Sequence, residues 1–165
     1  MLTPHQSLTL RHYGPSHGSH AHAHFQVLVG LEGSLELEVQ GRGQRIATGG
    51  GCVIAPGERH DFEANGHALC LVLDTPDADW AQVSGAPAQP GAALALARYL
   101  QHTLVHQDSL AQRYGPLLLL DCWRPTVNSV TRCQRRIDWT VLTRWCQQRL
   151  HTPLHVADLA RQVFL

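Results

Sequence analysis

Seven residues, Ser34-Leu-Glu-Leu-Glu-Val-Gln40, alternate strictly between apolar and polar side chains. Successive side chains of a strand point to opposite faces, so Leu35, Leu37 and Val39 share one face while Glu36 and Glu38 face solvent on the other. A segment of this kind has to pair into a sheet and cover its apolar face. The flanking chain repeats the theme. Ser7–Tyr13 alternates through Leu8 and Leu10, and Phe25–Gly30 is apolar and β-branched. Gly41-Arg-Gly43, Gly49–Gly51 and Pro56-Gly57 punctuate further short runs at Gln44–Ala47, Cys52–Ala55 and His67–Leu73. Short strands separated by glycine turns predict a β sandwich or barrel over the first 74 residues.

The second half of the 165-residue chain changes character. Residues 75–91 hold Pro76, Pro87, Pro90 and Gly85 and read as a linker or irregular excursion. Ala92–His106 carries apolar residues at helical spacing. Asp108 is placed to cap a second helix, expected to be interrupted or bent near Gly115-Pro116 and to continue through Leu117–Trp123. The run Leu117–Leu120 is apolar all round and calls for burial on more than one side. A third helical segment is expected from Arg135 to Leu150, with Thr152-Pro153 capping a further one over Leu154–Val163.

Charge divides the same way. Net charge is zero, but residues 1–100 hold five arginines against nine carboxylates, and residues 101–165 eight against four. An acidic front and a basic tail suggest two tasks, the basic one involving nucleic acid. Five cysteines without a C-x-x-C pair disfavour a disulfide framework; Cys52 and Cys70 read as small buried hydrophobes. No apolar run approaches the roughly 20 residues of a membrane span, and the N-terminus lacks the pattern of a secretory signal. A cytoplasmic location is therefore expected. The apolar end Val163-Phe164-Leu165 suggests a piece of a longer chain.

The chemistry-bearing residues lie in Gly14–Gly33. His20 and His22 are two apart, and on a strand such a pair points the same way. Gln26 falls four residues later on the same face, and Gly33 permits the next turn. The spacing G-x5-H-x-H-x3-Q-x6-G resembles the first cupin motif, with Gln26 standing where that motif has Glu. Gly57-Glu-Arg-His60 resembles part of the second motif, whose proline and asparagine are each displaced by one position here, at Pro56 and Asn65. The resemblance, over roughly residues 14–65, implies a small jelly-roll barrel in which His20, His22, Gln26 and His60 converge. It implies one divalent transition metal, Zn, Ni, Fe or Mn. A neutral amide in place of Glu would leave the ion its full charge, favouring an anionic ligand while holding the metal less tightly. A metal-free, histidine-lined ligand pocket is the alternative, and His17 or His24 become ligands if the register slips.

The tail adds a second resemblance. Trp145–Arg161, with Pro153-Leu154 followed by Asp158-Leu159-Ala160, resembles the opening of the helix-turn-helix domain of AraC/XylS-type bacterial transcriptional regulators. The order of sensor cupin, linker helices and DNA-reading domain is that family's layout. It implies a mainly β cupin followed by helices, α+β overall. The expected divisions are a cupin over 1–75, linker and dimerisation helices over 76–133, and the beginning of a DNA-binding domain over 134–165. A homodimer is implied, with a small-molecule or metal effector. DNA would be bound by a complete C-terminal domain, to which the tail arginines contribute phosphate contacts. In some relatives an N-terminal arm is the switch, a part open to residues 1–13. The competing reading is a metal-dependent cupin enzyme of the dioxygenase or isomerase type; the missing Glu and the basic tail speak against it.

Overall fold

The computed structural model describes residues 6–83, 85–106, 108–125, 139–149, 151, 155 and 158–159. The chain divides into two compact units, Met1–Thr126 and Val127–Leu165.

In the first unit seven strands form two antiparallel sheets: β1 (Ser7–Tyr13), β2 (Phe25–Glu32), β3 (Ser34–Val39), β4 (Arg42–Ala47), β5 (Gly51–Ile54), β6 (His60–Glu63) and β7 (Ala68–Thr75). One sheet has the order β1-β7-β2-β5 and the other β4-β3-β6. The alternating segment is β3. Its Leu35 and Leu37 are buried against Leu28, Ile46, Ile54 and Val72 between the sheets. Six of the strands match the sequence reading; β6 is the addition, too short and too polar at H-D-F-E to show an alternation.

Strands β2 and β7 are nearly continuous runs of buried residues because both their faces are covered. Cys70 and Val72 point between the sheets, whereas Leu69, Leu71 and Leu73 point away from them. The outer face is covered by helices α1 (Pro90–His106) and α2 (Asp108–Trp123). Ala93, Ala97 and Leu100 of α1 and Leu119, Leu120 and Trp123 of α2 pack onto Leu8, Val27, Val29 and Leu71. The layers are thus helix pair, four-stranded sheet and three-stranded sheet.

Pro116 does not interrupt α2, which runs from Asp108 to Trp123 as one helix. Tertiary contacts on both sides of the proline hold it. Gly115 lets the helix approach so closely that an added Cβ would lie 2.8 Å from Leu8 Cδ2. Gln112 donates from Nε2 to Leu8 O (2.7 Å) and accepts from Leu8 N at Oε1 (2.8 Å), extending the ladder at the sheet's outer strand. Of the four-leucine turn, Leu119 and Leu120 are buried, whereas Leu117 and Leu118 are 65% and 50% exposed. The 75–91 excursion contains a short 3-10 turn, Ala78–Gln82, capped by the Asp77 carboxylate accepting from Asp79 N. It is anchored by buried Trp80, whose ring meets Trp123 edge-on at 5.5 Å.

In the second unit, helix α3 spans Trp139–Gln147. The Arg149 guanidinium lies 4.4 Å from the Trp145 ring centre. The Asp158 carboxylate caps His155 N–H (Oδ2, 3.1 Å), and Asp158 N–H donates to the His155 backbone carbonyl (2.9 Å), as at a helix start. Thr152, Pro153, Leu154 and Ala160, on which the helix-turn-helix resemblance leans, lie outside the described residues, as do 126–138.

Candidate metal and ligand site in the barrel

His60 opens β6, and the chain before β2 runs alongside it. His20 and His60 exchange two backbone hydrogen bonds, His20 N to His60 O (3.0 Å) and His60 N to His20 O (2.9 Å). This brings the two motif halves together. The ring of His60 lies 4.3 Å from that of His20 and 4.8 Å from that of His22, centre to centre. Gly33, the last residue of the first motif, has φ +70°, and a Cβ there would collide with the carbonyl oxygen of His67.

Hydrogen bonding decides how these rings face. His22 Nδ1 lies 2.7 Å from His24 O, and His60 Nδ1 lies 2.9 Å from Glu58 O. A carbonyl oxygen only accepts, so Nδ1 carries the proton in both rings and Nε2 carries a lone pair. Burial pushes both imidazoles below the usual histidine pKa, assisted at His22 by neighbouring His24 and at His60 by neighbouring His20. Both are therefore neutral at neutral pH. Both Nε2 atoms are buried without a hydrogen-bond partner, and so is Gln26 Oε1. Gln26 Nε2 donates to Asp74 Oδ1 at 2.8 Å, leaving that oxygen to face the interior.

Three buried acceptors without donors are costly in isolation, each on the order of 1–3 kcal/mol. They fit a species that accepts electron pairs. Two imidazole nitrogens and an amide oxygen, with the Nδ1 atoms tied off by backbone carbonyls, are a donor set suited to a divalent transition metal. His20 is exposed and stands at the rim beside His60. Among the described residues no three His, Cys, Asp or Glu side chains are grouped to hold an ion. His24 stacks on His22 at 4.1 Å, and its Nε2 lies 3.4 Å from Asp74 Oδ1. Its carbonyl oxygen orients His22. His17 is exposed and lines the mouth of the adjoining cavity.

That cavity measures about 370 Å3 and is lined by Arg11, Tyr13, His20, Gln26, Asp61 and Phe62, among others. Tyr13 and Phe62 form an aromatic wall at 4.9 Å. The Tyr13 hydroxyl is buried without a partner, and burial raises its pKa, so the phenol keeps its proton. Arg11 is occupied: Nη2 pairs with Asp74 Oδ2 and Nε donates to Thr9 Oγ1 at 3.2 Å. Sequence reasoning missed Arg11, Tyr13 and Asp74. The only signal was a lone carboxylate, Asp74, ending the otherwise apolar A-L-C-L-V-L of β7. Cys52, Cys70 and Cys122 are buried free thiols whose pKa values burial raises, that of Cys70 to about 12. Cys133 lies outside the described residues.

Residues 8–76 match the family described as Cupin domain, in agreement with the two-sheet fold. A 66-residue stretch is 41% identical to an uncharacterized HTH-type transcriptional regulator, YobQ, of Bacillus subtilis (strain 168), covering 40% of this chain and 27% of that protein. The chain thus spans about a quarter of the relative it matches. Among solved structures, a cupin-2 domain containing protein from Shewanella frigidimarina aligns at 18% identity over 45% of this chain and 80% of its own, with a TM-score of 0.41. A predicted oxalate decarboxylase from Thermotoga maritima aligns at 24% identity over 42% and 65%, with a TM-score of 0.39.

Proposed function

We propose that this chain is the effector-sensing and dimerisation part of a cytoplasmic bacterial transcriptional regulator of the AraC/XylS type, and that its barrel holds one divalent transition metal. The observation that carries the metal reading is the set of three orphaned acceptors, His22 Nε2, Gln26 Oε1 and His60 Nε2. The regulator reading is supported by the likeness to an HTH-type regulator and by the basic segment with a helix start at His155.

His22, Gln26 and His60 would hold the ion, with His20 at the rim. Burial keeps His22 and His60 neutral, Gln26 carries no charge, and the Asp74 carboxylate is matched by Arg11. A bound ion would therefore present its charge to the cavity and favour a small anionic effector. Tyr13 would supply a hydroxyl to it, and Phe62 an apolar wall. The effector acts by population shift, binding one arrangement of barrel and helices more tightly than the other.

Elemental analysis of the untagged, purified chain tests the metal reading. About one metal per chain is expected for the wild type, and none for a His22→Ala/His60→Ala variant. Equal metal content in the two, or none in either after loading, overturns it.

A further inference from the structure

We propose that Asp74 is a positioning residue for this centre. It holds the Gln26 amide so that an oxygen, and not an NH2 group, is presented to the interior, and so lets a glutamine serve where the first motif has a glutamate. The inference rests on the metal reading above.

A glutamine amide offers either end equally well unless a neighbour discriminates. Asp74 does, because a carboxylate only accepts. Asp74 stands directly across from Gln26 in the β2–β7 pairing, and Gln26 Nε2 donates to its Oδ1 at 2.8 Å. The carboxylate is itself fixed. Arg11 pairs with Oδ2, and His24 Nε2 approaches Oδ1 at 3.4 Å. Both carboxylate oxygens are thus engaged, so Asp74 acts through the amide and is not itself a ligand. Donation of an amide N–H to a carboxylate also polarises the group and enriches its oxygen in electron density. The negative charge that a glutamate would place on the metal sits one residue further out.

The arrangement makes an exchange test possible. Q26E/D74N rebuilds the same hydrogen bond with donor and acceptor reversed and turns the carboxylate toward the ion. Zn2+ affinity is measured on the whole chain by competition with a chelating dye. D74N alone should weaken binding about 10- to 100-fold, the usual effect of losing a partner that orients a ligand. Q26E/D74N should bind at least as tightly as the wild type. In a Q26A background, D74N should cause no further loss.

A D74N variant that binds Zn2+ as tightly as the wild type overturns the inference and leaves the metal reading standing. Should D74N alone not fold, the exchange variant decides: folded by its urea midpoint yet ten-fold weaker than wild type, it overturns the inference. A wild type that binds none of Zn2+, Ni2+, Fe2+ and Mn2+ overturns the metal reading and this inference with it.

Discussion

At the scale of single residues, the two tied-off imidazoles carry a pH consequence. The folded chain keeps His22 and His60 neutral by burial, whereas the unfolded chain protonates them near the ordinary value of 6.5. Below that value the unfolded state binds more protons, so stability falls as pH drops and is unaffected by these groups well above it. The urea midpoint should therefore decline between pH 7.5 and 5.5, before carboxylates begin to titrate near about pH 4. A His22→Gln/His60→Gln variant should show a shallower decline; equal pH dependence in the two proteins would show that these rings do not cause it. The candidate residues could be named one by one from the chain. His20, His22, Gln26 and His60 were singled out by motif spacing; the strand expected to carry the first two is absent, His20 forming an isolated bridge with His60 and His22 preceding β2. The orientation of each ring was not legible. It depends on which carbonyl, His24 O or Glu58 O, meets Nδ1, and a backbone carbonyl leaves no mark in a sequence.

At the scale of elements, Trp123 at the end of α2 ties three parts together. Its indole N–H donates to Gly85 O at 3.0 Å, its ring meets Trp80, and its edge lies over Gly51 so closely that a Cβ there would sit 2.9 Å from Cζ2. Trp123→Ala should cost about 3–5 kcal/mol in chemical denaturation, the range for emptying a buried aromatic site. A loss below about 1 kcal/mol would mean that the excursion and the helix end are not coupled. Strand β3 was legible because one of its faces is wet and the other dry. Strand β6 was not, although it carries His60, because four residues with two charges show no period. Helix α2 was expected to be interrupted or bent near Gly115-Pro116 because local propensity disfavours a proline inside a helix. Burial of Leu119, Leu120 and Trp123 beyond it, with Gly115 seated on Leu8, outweighs one missing hydrogen bond.

At the scale of the whole molecule, the helix pair has an inner face on the sheet and an outer face of unusual composition. Leu110, Tyr114, Leu117 and Leu118 of α2 are each at least 46% exposed and recur at one-turn spacing, forming an apolar stripe. The proposed homodimer would cover it. Light scattering should report a dimer for the wild type and a monomer for Leu117→Glu/Leu118→Glu, with little change in melting temperature because neither side chain belongs to the core. A monomeric wild type would overturn the dimer. Among the described residues, no helix is long and apolar enough to cross a membrane.

The β barrel and the identity of the candidate histidines were legible in the chain itself. Those follow from period-two patterning, glycine turns and motif spacing, all of them local. Packing alone sets that β2 and β7 are covered on both faces, that Asp74 stands across from Gln26, and that His22 Nε2, Gln26 Oε1 and His60 Nε2 are buried without donors among the described residues. Asp74 and Gln26 are 48 residues apart, and the strand pairing that joins them is set by the packing of both sheets and the helix layer together.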